Sequence, residues 1–185
     1  MIHRHAMIDR PSQAEFASFY AGYVSLVPEN DIMSVLEGQA TDVRLQTRAL
    51  IPKREQFRYA AGKWSVREVL GHVTDAERVF GFRAFCFSRG DENAIPGFEQ
   101  DDYVARASFD RCSLADLVQE FGQVREANLA FLRRLDPLDP LGDVAWRRMG
   151  TASGKPVSVR ALAYIMAGHV RHHLQVLGTR YAETG

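Results

Sequence analysis

Half of the chain's six histidines fall within five consecutive positions of one stretch, AGHVRHHLQVL at 167–177. His169 and His173 are four residues apart, so on a helix they stand about one turn apart and about 40° around the axis. Val159, Leu162, Met166, His169, His173 and Val176 follow alternating spacings of three and four, the stripe that a bundle helix turns toward its neighbours. His172 lies about 60° to the other side of His169, and spacing alone does not exclude it. A second stripe, Val69, His72, Ala76, Val79 and Arg83, has the same rhythm and points His72 inward. Three inward imidazoles in an apolar core cannot easily satisfy one another. A divalent cation is the natural shared partner, because neutral imidazole is a favoured ligand of zinc, nickel, copper or iron, and an i,i+4 pair chelates from one helix face. Three protein ligands leave a position for water or substrate, the pattern of a catalytic site, and the absence of cysteine ligands disfavours a structural zinc. The H-x-x-x-H pair lacks the inner glutamate of H-E-x-x-H, so zinc-protease chemistry is not indicated. A histidine-rich core and a pH-responsive packing site stay open as alternatives.

Other residues offer weaker chemistry. Asp75 and Glu77 follow His72 closely and could orient a ligand or act as a general base, although such residues are more often solvated or paired along a helix surface. Arg83 shares the stripe of His72 and either binds an anionic substrate or leads its charge out to solvent. Asp101, Asp102 and Tyr103 either cover the site or belong to an exposed loop. Trp146 and the group Phe80, Phe82, Phe85 and Phe87 read as packing. His3 and His5 lie at an N-terminal end, about 1–11, that is expected to fray, where metal binding is not expected.

The elements that must position these side chains are marked by helix-start signals. Ser12 and Glu15 form a capping box after Pro11, which predicts a short helix through FASFYAGYV. Pro28 and Asn30 introduce a helix over 31–50, with Ile32, Val35, Leu36, Val43, Leu45 and Leu50 as its apolar positions and Pro52 as its stop. Ser65 and Glu68 form a second box, with Trp64 and Val69 placed for a hydrophobic staple, and open a helix over 65–89 that Gly90 ends. Ser113 and Asp116 start a helix over 113–135, and Ser158 starts the last one, 158–181. The connection DENAIPGFEQDDYVARASFD is acidic and too long for a simple turn. The connection 136–157 has room for a short hairpin at its Gly-rich tip. Four long helices and a short N-terminal one predict an all-α, four-helix bundle in a single domain, 1–185. The long connections after the second and third helices leave room for crossovers.

Composition narrows the function. The 185 residues are 46% hydrophobic and 25% charged, with 23 basic and 23 acidic side chains and a formal net charge of +0. That balance suits a soluble protein and argues against nucleic acid as a partner. No apolar run reaches the ~20 residues of a membrane span, and the N-terminal stretch has no signal-peptide core. Cys86 and Cys112 have neither metal nor redox spacing, which fits reduced thiols in the cytoplasm.

The blocks GKWSVREVLGHVTDAERVF, PGFEQDDY and VSVRALAYIMAGHVRHHLQVL, in this order, resemble the DinB-like superfamily and its YfiT-like members, over about residues 15–180. The resemblance implies a bacterial four-helix bundle, often a homodimer, with a three-histidine site for nickel or zinc. By position it selects His72, His169 and His173 as ligands and leaves His172 as a neighbour. It also implies a small-molecule substrate, in some relatives a low-molecular-weight thiol such as bacillithiol or mycothiol. The expected function is therefore a cytoplasmic metal-dependent transferase or hydrolase, thiol-dependent S-transfer being slightly favoured by the family analogy. The rival is a non-catalytic metal- or ligand-binding bundle acting through a dimer or surface. A DNA-damage regulator, which the family name suggests, is disfavoured by the neutral charge.

Overall fold

Every long helix starts where a side chain takes up a free backbone N–H. In the computed structural model, which describes residues 8–49 and 54–181, the elements in chain order are α1 (Ala21–Ser25), α2 (Ile32–Ala49), α3 (Val66–Ser88), α4 (Gln100–Ala107), α5 (Leu114–Leu132), α6 (Pro140–Arg147), β1 (Met149–Ala152), β2 (Lys155–Ser158) and α7 (Val159–Arg180). Asp31 accepts from the Ser34 N–H at 3.0 Å ahead of α2. Ser65 Oγ accepts from the Glu68 N–H at 3.2 Å while the Ser65 N–H donates to the Glu68 carboxylate at 2.6 Å, the reciprocal box that opens α3. Ser113 and Ser158 cap α5 and α7 by the same N3 bond, at 3.1 and 3.0 Å. Trp64 packs against the apolar cluster to which Val69 belongs.

The first predicted helix is broken. The Ser12–Glu15 box opens only a 3-10 turn, Phe16 is extended, a second 3-10 turn covers Ser18–Tyr20, and α1 has five residues. The Glu15 carboxylate accepts from the Ser12 N–H at 2.9 Å and also reaches beyond its own turn: it pairs with Arg160 at 2.6 Å and accepts from the Ser158 hydroxyl at 2.8 Å, tying the segment to the start of α7. Residues 8–11 are not frayed, since Ile8 is buried and Arg10 donates to the carbonyls of Val24 and Val27. His3, His5, Leu50 and Pro52 lie outside the described residues.

Around the bundle, α3 lies against α5 and α7, and α2 lies against the same two helices. Helices α2 and α3 therefore face each other diagonally, as do α5 and α7. The crossings fall in the first and third connections, not after the second helix as its loop length suggested. Length permits a crossover without requiring one: the connection from α3 to α5 joins neighbours and spends its residues on α4, which packs on α3. The third connection holds α6 and the β1–β2 hairpin, closed by Ser153 and Gly154 at φ 53° and 71°, the two left-handed positions of a type I′ turn.

Helix α7 is enclosed by α1, α2, α3 and α6, so Ala161–Val170 is buried on every side rather than along one stripe. The tightest approach is at Gly168, where a Cβ would stand 1.9 Å from the Tyr23 carbonyl oxygen of α1. We expect Gly168→Ala to lose about 1–3 kcal/mol by overpacking. Thermal unfolding checks it, and an unchanged Tm would show that α1 yields freely.

The core consists of two apolar clusters. One gathers α1, α6 and the N-terminal half of α7; the other gathers Val43, the start of α3, Leu117, Phe121 and Leu177. Each long helix carries a buried polar residue near the boundary: Gln39, Glu77, Arg125 and His169. Arg125 binds the Glu77 carboxylate with two bonds of 2.8 Å and donates to Leu36 O at 2.9 Å and Gln39 Oε1 at 2.8 Å. Gln39 in turn donates to Ala167 O at 2.7 Å, so the network joins all four helices.

Candidate metal centre

The three stripe histidines meet at one point. His72 comes from the second turn of α3, and His169 and His173 from successive turns of α7. His169 Nε2 lies 3.1 Å from His72 Nε2 and 3.1 Å from His173 Nε2. Two ligand nitrogens each about 2.1 Å from one cation stand about 3.0–3.4 Å apart at octahedral to tetrahedral angles. The donor set thus fits a divalent cation in both chemistry and spacing.

The surroundings keep the imidazoles neutral. Burial pushes His72 down to about 4, against an opposing pull from the Asp101 carboxylate. Burial, with help from His72 and His172, brings His173 to about 3. Burial and the other histidines hold His169 well below the usual histidine range. At neutral pH all three have a lone pair to offer, which is the form that binds metal. Aromatic rings pack around them: Trp64 on His72 at 4.7 Å between centroids, and Tyr23 and Phe80 edge-on to His169 at 5.3 and 5.7 Å. His172 stays outside the converging three, its ring set against Tyr23 and His173.

Beside His173 opens a cleft of about 340 Å³ whose walls include Trp64, Val69, Val176 and Tyr181. Asp101, at the start of α4, and His172 also line it. The acidic connection therefore does reach the site, through Asp101. Sequence reasoning did not assign Trp64 or Tyr181 to this wall; Trp64 precedes the N-cap of α3 and Tyr181 follows the end of α7, so neither falls on the helical stripes that marked the histidines. Tyr181 donates to the Trp64 carbonyl at 2.6 Å and its hydroxyl is pushed up to about 12, chiefly by burial.

Other candidates sit elsewhere. Glu77 is committed to Arg125 and Asn128 in the interhelical network and is not available as a base. Asp75 forms a 3.6 Å ion pair with Arg78, which also reaches Glu120 of α5, on the side away from α7. Arg83 does not lead outward but is 1% exposed. Trp146 is packed as expected and donates to Leu135 O at 2.6 Å. Phe80 and Phe87 are core, whereas Phe82 and Phe85 lie exposed on the outer face of α3, as does Leu45 on α2.

A family model described as the DinB superfamily matches residues 41–177. Among solved structures, YfiT from Bacillus subtilis, described as a probable metal-dependent hydrolase with an unusual four-helix bundle topology, is similar with a TM-score of 0.70 over 93% of this chain and 93% of that one. The two are 14% identical, a level at which the likeness concerns the fold. No curated protein matches the chain.

Proposed function

Because this chain belongs to the DinB superfamily, we propose that it is a metal-dependent enzyme in which His72, His169 and His173 hold one divalent cation, nickel or zinc, and the adjoining cleft takes a small-molecule substrate. The observation that carries this reading is the convergence of three neutral Nε2 atoms, at 3.1 Å from the central one, at the edge of an open cleft. A cation held there supplies Lewis acidity and lowers the pKa of a water or thiol. The chain's own residues bind, orient and move protons. Three protein ligands leave room for a reactant, and Trp64, Val69 and Val176 present it with an apolar wall. Asp101 is the carboxylate that lines the cleft, placed to take the proton that a water or thiol gives up.

Hydrolysis is the reading we favour, supported by the description of the Bacillus subtilis protein. Thiol-dependent S-transfer is a second reading, supported by the cleft's volume of about 340 Å³, which admits an organic thiol and not water alone. A cytoplasmic homodimer remains part of the proposal. The unpaired Cys86 and Cys112 and the exposed Leu138, Leu141 and Val144 around α6 support it.

The test is a screen of ester, amide and thiol–electrophile substrates with metal-loaded wild type beside His173→Ala. Turnover lost in a folded variant supports the enzyme; equal turnover in both overturns it. Unimpaired cellular function in His173→Ala would instead favour the surface-binding rival. On any substrate found, Asp101→Asn is expected to lower kcat by about 10²–10⁴-fold with metal content unchanged. Undiminished kcat would remove Asp101 from the mechanism.

A further inference from the structure

Among the described residues two arginines are fully buried, and they are treated differently. Arg125, 0% exposed, is matched by a carboxylate and two neutral acceptors. Arg83, 1% exposed, is given only neutral oxygens: one NH2 group donates to Pro96 O at 3.0 Å and to Ser153 Oγ at 3.2 Å. Its Nε has no partner and is the single such buried side-chain polar atom among the described residues. A buried cation without a counter-charge is strongly unfavourable, and an unpaired buried donor calls for a partner that arrives from outside the chain.

Two hydroxyls stand beside Arg83, and a hydroxyl that accepts from the guanidinium keeps a proton to give. The Tyr20 hydroxyl lies close enough for the guanidinium to oppose the rise in pKa that burial imposes on it. Ser153 uses its oxygen to accept from Arg83, which leaves its own proton to give. Ser153 is fixed in a left-handed turn position, and the 91–98 segment is locked onto the hairpin by Ile95, whose N–H donates to Thr151 O at 2.9 Å while its carbonyl accepts from the Ser153 N–H at 3.0 Å. The guanidinium therefore has the Ser153 hydroxyl on one fixed support and the Tyr20 hydroxyl beside it, and its hydrogen-bond partners are neutral.

This donor group lies outside the histidine cleft. Arg83 is three turns along α3 from His72 and on the same stripe. The Tyr20 ring meets Phe80 edge-on at 6.1 Å, and Phe80 meets His169 at 5.7 Å, so one phenyl ring separates the two groups.

We propose that Arg83, with the hydroxyls of Tyr20 and Ser153, binds one anionic group, a carboxylate or a phosphate monoester, of a small ligand at a site separate from the histidine cleft. The anion site stands on Arg83 itself and is independent of the metal-enzyme reading.

Thermal unfolding of the full chain, at constant ionic strength and with sodium acetate or methyl phosphate as probes, tests it. Wild-type Tm should rise saturably with at least one probe, acetate alone marking a carboxylate site and methyl phosphate alone a phosphate ester site. Arg83→Met should lose the response, yet without a probe be at least as stable as wild type, because it no longer buries an unmatched charge. Tyr20→Phe, a milder change, should weaken the probe by about tenfold, the loss of one charge-assisted hydrogen bond. The response should persist in His169→Ala, which separates this site from the metal centre. A wild type that answers neither probe, or an equal response in Arg83→Met, overturns the proposal.

Discussion

Replacing His169 with alanine is expected to abolish stoichiometric nickel or zinc binding while leaving the bundle folded. His169 is the hub of the centre, since its Nε2 is the atom that both other Nε2 atoms approach to 3.1 Å. Its removal leaves His72 and His173 on separate helices without the nitrogen between them. The loss should exceed the roughly 10–100-fold that changes outside the ligand shell produce. Elemental analysis and calorimetric titration of wild type, His72→Ala and His169→Ala check it. A wild type that takes up no divalent ion, or a His169→Ala variant with a full equivalent, would sink the metal centre.

The same residues set a pH dependence. In the folded, metal-free chain His72 sits at about 4 and His173 at about 3, below the ordinary value of about 6.5 that the unfolded chain has. Between those limits the unfolded state binds more protons, so stability rises with pH there and is lost as pH falls from about 7 toward 4. Metal affinity of the folded protein should stay nearly level from pH 7.5 to 5.5, because no proton yet competes for the imidazoles. His169→Ala should flatten part of the acid loss of stability in the metal-free protein.

The second large effect lies in the interhelical network. Glu77→Ala is expected to destabilise the fold by about 3–5 kcal/mol, the range for stripping one partner from a buried ion pair. For a chain of this length that lowers Tm by roughly 10 °C or more. Arg125 would keep its bonds to Leu36 and Gln39 but hold an unmatched charge at 0% exposure. Glu77→Leu combined with Arg125→Met should lose much less than the sum of the single changes, because the charge is removed with its partner. Urea denaturation of the set decides it; a Glu77→Ala loss under about 1 kcal/mol would mean that water reaches the pair.

The sequence reveals most where the determinant is local. The starts of α3, α5 and α7 follow from Ser65, Ser113 and Ser158, because a cap acts within three residues. His72, His169 and His173 were found because a polar residue on an apolar stripe needs a reason. The same test, extended beyond histidine, finds Arg125 between Phe121 and Leu129 and Gln39 between Leu36 and Val43, residues that were missed because arginine and glutamine pass for surface. Glu77 was misjudged for want of its partner, 48 residues away. Helices α4 and α6, eight residues each, are too short for periodicity to separate from loop. The first predicted helix stops after one turn although its capping box forms, and the further tie of Glu15 to Arg160, 145 residues on, is one that no local rule anticipates.

The diagonal crossings have a consequence for the chain as a polymer. His72 and His169 are 97 residues apart, and the segment between them contains α4, α5, α6, the hairpin and half of α7. A cation shared by these two side chains closes that whole segment into a loop. In the unfolded ensemble a cross-link of that span removes about 4–5 kcal/mol of chain entropy, as a disulfide would. Cys86 and Cys112 form no disulfide, so a cation on these imidazoles would give this chain a staple that chelators, rather than reductants, undo.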